Sequence, residues 1–130
     1  IRHSAFLMCL AIHPYSTLKQ QLFVELAEIS MIIIAGTITC DPEKMEDAVE
    51  AIRPLMEATQ AEEGCIDYVL SADPLTPGVI RIFEKWESDE AIKNHMRAPH
   101  MADFQGKIAN FGVTAMSVDR FDGATQSKLF

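Results

Sequence analysis

An α+β fold, with helices stacked on one face of an antiparallel sheet, is what this sequence predicts, and three observations predict it. Four runs have strand texture: Met31 to Cys40, Cys65 to Ser71, Val79 to Trp86 and Val113 to Phe121. Amphipathic stretches stand between the first and second runs and between the third and fourth. The middle pair is joined by Asp73-Pro-Leu-Thr-Pro-Gly78, a turn built from residues that fix or free φ. At 130 residues the chain has the length of one domain with one real core. The expected organisation is an extension over 1–30, a folded domain over 31–122 and a loose polar tail over 123–130.

Taken in order, Leu18, Leu22, Leu26 and Ile29 recur at helical spacing behind Ser16 and Thr17, which suit an N-cap. They predict an amphipathic helix appended to the domain. MIIIAGTITC over 31–40 is β-branched and too short for a buried helix, so it reads as a mostly buried strand. Asp41-Pro42 stops it and opens a helix, an acidic cap followed by the residue whose missing N–H costs nothing there. That helix carries Met45, Ala48, Val49, Ile52, Met56 and Thr59 on one stripe, with Pro54 expected to kink it and Glu63-Gly64 to end it.

Alternation then puts Ile66, Tyr68 and Leu70 on one face of the second strand. In the third, Ile80, Ile82, Glu84 and Trp86 face one way, and Arg81, Phe83 and Lys85 the other. Ser88 caps a second helical region that Pro99 divides, the later piece turning Met101, Phe104, Ile108 and Phe111 inward. Gly112 closes it before the last strand. The order β-α-β-β-α-β is the ferredoxin-like arrangement, with both helices on one side of a four-stranded antiparallel sheet. The other side keeps Val79, Phe83 and half of the outer strands, an apolar surface that a second copy of the chain would cover as a two-fold homodimer.

Composition narrows the function. A formal charge of −8 with no Lys/Arg cluster excludes phosphate-backbone binding and disfavours anionic membranes. Three cysteines with no C-x-x-C pair suit a reducing compartment. Arg2 and the apolar run Ala5 to Ile12 lead into His13-Pro14-Tyr15, where a leader would need small residues, and the run is too short to span a bilayer. A cytoplasmic location is therefore expected. There is no phosphate loop, G-x-S-x-G elbow or H-E-x-x-H helix. His95 and His100 are five apart with Pro99 between them, a spacing that does not align two ligands on one helical face, so no metal is expected.

Three residues carry the chemistry that remains. Glu84 and Trp86 share a face of the third strand, and helices laid over that face would desolvate the carboxyl and raise its pKa into the range of a general base. The alternative is a carboxylate paired with a cation or capping backbone donors. His95 lies on the inward stripe of the second helical region with Ala91 and Ile92, where it is either a catalyst or a satisfied core histidine.

The combined pattern resembles a known family. Phe83-Glu-x-Trp86, Ser88-x-x-Ala91, His95, Ala98-Pro-His100 and Phe104 are similar to the hallmark segment of the antibiotic biosynthesis monooxygenase domain. Glu62-Glu-Gly-Cys65-x-x-Tyr68 resembles that family's helix-to-strand turn. The resemblance covers roughly Met31 to Asp122. It implies a dimeric α/β barrel with an apolar pocket between sheet and helices in each subunit, and an oxygenase of phenols or quinols working with dioxygen and no bound cofactor. Haem-degrading members use an Asn on the first strand, which Met31 to Cys40 lacks. On this reading His95, Glu84 and Trp86 are the candidate catalytic residues. Tyr68, Ile82, Ile92, Met96, His100 and Phe104 are the candidate substrate-binding set. A non-catalytic small-molecule-binding dimer and an isomerase in which His95 shuttles a proton are the alternatives.

Overall fold

The computed structural model describes residues 31–130. The amphipathic helix expected before residue 30 lies outside the described residues. Within them the chain runs β1 (Met31–Thr39), α1 (Met45–Gln60), β2 (Cys65–Ala72), β3 (Val79–Trp86), α2 (Asp89–Met96), α3 (Pro99–Ile108) and β4 (Ala115–Ala124). The four strands form one antiparallel sheet in the order β2-β3-β1-β4, the ferredoxin-like topology. No described helix is long and apolar enough to cross a membrane.

Local chemistry sets the boundaries. Asp41 accepts the Glu43 amide at 3.0 Å and caps a short 3-10 turn, Pro42–Lys44, which leads into α1. Pro54 sits on the exposed side of α1, and the helix continues through it to Gln60. Its buried stripe is Ala48, Ile52, Leu55 and Thr59; Val49, expected inside, is solvent-facing, and Leu55 takes that place. Ser88 Oγ accepts the Ala91 amide at 3.1 Å and starts α2. The helical region does divide at Pro99: Ala98 is extended, and Pro99 opens α3 with its φ already suited to a first turn. Gly112, with φ +63°, ends that layer in the left-handed conformation that glycine tolerates. The last strand begins two residues later than expected, because Thr114 still spends its amide on Thr39 O at 2.9 Å.

Strand alternation in β3 is as the sequence predicts. Ile80, Ile82, Glu84 and Trp86 are buried under the helices, while Arg81 and Phe83 face out. In β2 the alternation breaks. Ile66 was expected beside Tyr68 and Leu70, but the register slips between Cys65 and Asp67, so Ile66 is an extra, bulged residue and is 46% exposed.

Pairing aligns the helix-side residues in cross-strand rows. One row is Tyr68, Glu84, Ile34 and Arg120; the next is Leu70, Ile82, Gly36 and Val118. The helices cover the β2 and β3 ends of these rows, whereas Val118 and Met116 on β4 stay largely exposed. A Cβ on Gly36 would stand 2.1 Å from Ser117 O, so glycine is what lets β1 and β4 approach there.

Candidate active site

Three elements converge on one buried cluster. β3 supplies Glu84 and Trp86, β2 supplies Tyr68, and α2 supplies His95 from the turn before Pro99. The rings stack as neighbours: Trp86 and His95 centroids are 4.9 Å apart, Tyr68 and His95 5.3 Å, and Tyr68 and Trp86 6.2 Å edge to face. All three are almost wholly buried. Trp86 Nε1–H donates to Glu84 Oε2 at 2.8 Å, which holds one carboxylate oxygen and leaves the other lone pairs for a further donor.

Burial pushes the Glu84 carboxyl above its ordinary range, and the Trp86 hydrogen bond and the nearby His95 pull it partway back. Burial, with the charges of Glu84 and Glu62, drives the Tyr68 hydroxyl upward, so Tyr68 is a neutral wall. The Cys65 thiol is pushed up to about 11 by burial and then by Glu62, Glu84 and Asp67, which fits an inert side chain rather than a nucleophile.

The remaining candidates divide. Ile82 and Phe104 are buried in the core, and Ile92 packs against its edge. Met96, offered as pocket lining, is 52% exposed, because α2 ends there and presents it to solvent. His100 is drawn in. The break after α2 redirects α3 so that the His100 ring lies 6.0 Å from that of His95, although five positions along one straight helix would not have faced them to each other.

What joins them is a residue the sequence reading passed over. Glu62 Oε1 is 2.8 Å from His95 Nδ1 and 2.6 Å from His100 Nε2. With Glu62 ionised, that oxygen accepts from both rings, which leaves His95 Nε2 as the basic nitrogen. Glu62 lies just past α1, and Gly64 with φ +83° turns the chain so closely under α2 that a Cβ would meet Ala91 Cβ at 2.5 Å. The signal available in the sequence is the Glu62-Glu-Gly-Cys65 turn itself, which marks a helix stop and resembles the family's helix-to-strand turn but assigns Glu62 no role. The Glu62, His95 and His100 ligand atoms lie within 4.8 Å of one another, a set able to hold a metal ion.

Two cavities that the described residues line are elsewhere. One, of about 270 Å³, runs along the outer side of α1 past Val49, Met56 and Leu70. The other, about 230 Å³, lies between the Glu63-Gly64 turn and the start of α2. Neither is lined by Glu84, Trp86 or His95. Those three side chains do converge, but against one another; among the described residues, the part of the helix-side face that the helices leave free is the β1–β4 half, where Val118 and Met116 are exposed.

A ferredoxin-like α+β domain with a buried carboxylate, indole and imidazole cluster is the class that this geometry defines. Residues 31–107 match the model of the antibiotic biosynthesis monooxygenase family, and the chain belongs to that family. It is 32% identical over 79 residues to YcnE of Bacillus subtilis, which is provisionally named a monooxygenase; the match spans 61% of this chain and 80% of that one. It is 29% identical over 76 residues to the uncharacterised Synechocystis protein sll1783, spanning 58% of this chain and about half, 52%, of that protein. Among solved structures, a Deinococcus radiodurans protein provisionally assigned to the same family superposes with a TM-score of 0.69 at 22% identity. It covers 76% of this chain and 98% of its own, a likeness of fold.

Proposed function

We propose that the protein is a cofactor-independent monooxygenase that oxidises a phenolic or quinol-type aromatic molecule with dioxygen. The observation that carries this reading is the buried Glu84 carboxylate, raised by desolvation, pinned by Trp86 Nε1–H and walled by Tyr68 and His95. The substrate lies over Ile34 and Val118, beside Ile82, on the part of the helix-side face that the described helices leave free. Glu84 or His95 takes the phenolic proton. The aryloxide passes one electron to dioxygen, and the resulting superoxide and aryloxyl radical join at a ring carbon. Loss of that carbon's proton with cleavage of the O–O bond gives the quinone carbonyl and water. The substrate supplies all four electrons, one oxygen atom enters the product and the other leaves as water. Tyr68, Trp86 and His95, all buried, keep water from the Glu84 side of the radical pair.

The working form is a homodimer paired through the sheet face opposite the helices, in a cytoplasmic setting, with 31–122 as the working domain. Oxygen uptake is measured with a panel of naphthols, anthrones and hydroquinones, and isotopic dioxygen traces the inserted atom. Uptake with label in the quinone is expected, falling by roughly two to four orders of magnitude in Glu84→Gln. Uptake that survives unchanged in both Glu84→Gln and His95→Gln sinks the site. Ligand binding without uptake for any member of the panel replaces the oxygenase with a binding dimer, and conversion without uptake replaces it with an isomerase.

A further inference from the structure

We propose that Glu62 Oε1, His95 Nδ1 and His100 Nε2 form a binding site for a first-row divalent cation, such as zinc or cobalt, that fastens the α1–β2 turn to α2 and α3. Two imidazole nitrogens and a carboxylate oxygen are the donor set such borderline cations select. The three donors come from three separate segments, and backbone features place two of them. Gly64 closes the turn that carries Glu62 against Ala91, one helical turn before His95. Pro99 fixes the start of α3, so His100 sits in its first turn and faces back across the break.

Enclosure and charge agree with a cation. The side chains of His95, Glu62 and His100 are 4%, 15% and 24% exposed, so the site is shielded yet open on the His100 side, where a water or ligand can complete a tetrahedron. The ionisable neighbours that face the cluster are Glu84 on β3, and Cys65 and Tyr68 on β2. The charges acting on those last two are acidic, from Glu62, Glu84 and Asp67. Donors bound at about 2.1 Å with tetrahedral angles stand about 3.4 Å apart. The present separations of 2.8 and 2.6 Å to Glu62 Oε1 therefore need to open by several tenths of an ångström, a small rotation of one glutamate side chain.

This inference does not rest on the oxygenase reading and meets it at His95 and at His100, a candidate substrate-binding residue. With a cation on Nδ1, Nε2 carries the ring proton, and the proton acceptor is then Glu84 alone. The cation is a clasp, so no redox step is assigned to it.

The test uses the full chain stripped with chelator and dialysed against Co(II) or Zn(II). One metal per chain is expected, with visible absorption bands of four-coordinate Co(II) and a melting temperature that rises with free Zn(II). Glu62→Gln and His100→Gln should each bind at least about tenfold more weakly. His100 is partly exposed, so its variant keeps the test informative if the other fails to fold. A His3→Ala/His13→Ala background, which removes the other histidines, should bind as the parent does. Binding well below one per chain, binding unchanged in both site variants, or binding lost with His3 and His13 overturns the proposal. Oxygen uptake by the stripped protein is a separate readout, so the two readings can fail independently.

Discussion

Glu84 is the residue whose environment has the plainest consequence. Its carboxyl is desolvated and its pKa lies above the ordinary value of 4.5, so the folded state holds the proton more tightly than the unfolded chain does. Its contribution to stability is complete below the unfolded pKa and is lost as pH rises through the folded one. Glutamine copies the protonated form and keeps an oxygen for Trp86 Nε1–H. The melting temperature of Glu84→Gln should therefore match the parent near pH 4 and exceed it near pH 8, while turnover collapses. Thermal scans across that interval check it, and a difference that is flat or of opposite sign contradicts the burial argument. The pairing of Glu84 with Trp86 was legible because two residues apart on a strand share a face. Glu62 was not legible: its partners lie 33 and 38 positions away, and only the folded turn beneath Ala91 makes them neighbours.

Among the elements, the β1–β4 seam is the most exacting. Adding one methyl at Gly36 drives it into the Ser117 carbonyl, so Gly36→Ala should destabilise by about 1–3 kcal/mol and speed hydrogen exchange of the β4 amides first. Gly106 is the internal control. It lies within α3 with no atom within 4 Å of a built Cβ, so Gly106→Ala should stabilise by roughly 0.5–1 kcal/mol. Denaturant titration of both variants separates a steric effect from a general intolerance of alanine. The strands and helix caps were readable because each rests on local chemistry: alternation, Asp41-Pro42, Ser88, Pro99. The bulge at Ile66 was not, since an extra residue is defined by what lies across the ladder and the apolar pattern of β2 continues smoothly through it. The exposure of Met96 escaped for a similar reason, because helical spacing does not say which face a short helix turns to the sheet.

At the scale of the whole molecule, the proposed assembly rests on the sheet face that the described helices leave uncovered. Val69 and Phe83 sit beside one another across β2 and β3, Phe121 lies on the same face of β4, and all three are more than a third exposed. A dimer through this face predicts a particle of twice 14.5 kDa by light scattering, reduced to a single chain by Phe83→Asp without loss of secondary structure. A monodisperse single-chain species for the parent protein would refute that assembly. The face is not uniformly greasy. Arg81 and Lys85 run along β3, Asp67 lies on β2 and Asp119 on β4, with Lys85 Nζ 5.6 Å from the Phe83 ring centroid. Two copies related by a half-turn would each offer both signs of charge to the other, a lock that fits a second copy of itself and few foreign surfaces. Concentrated salt should then loosen subunit exchange even though the aromatic centre resists it.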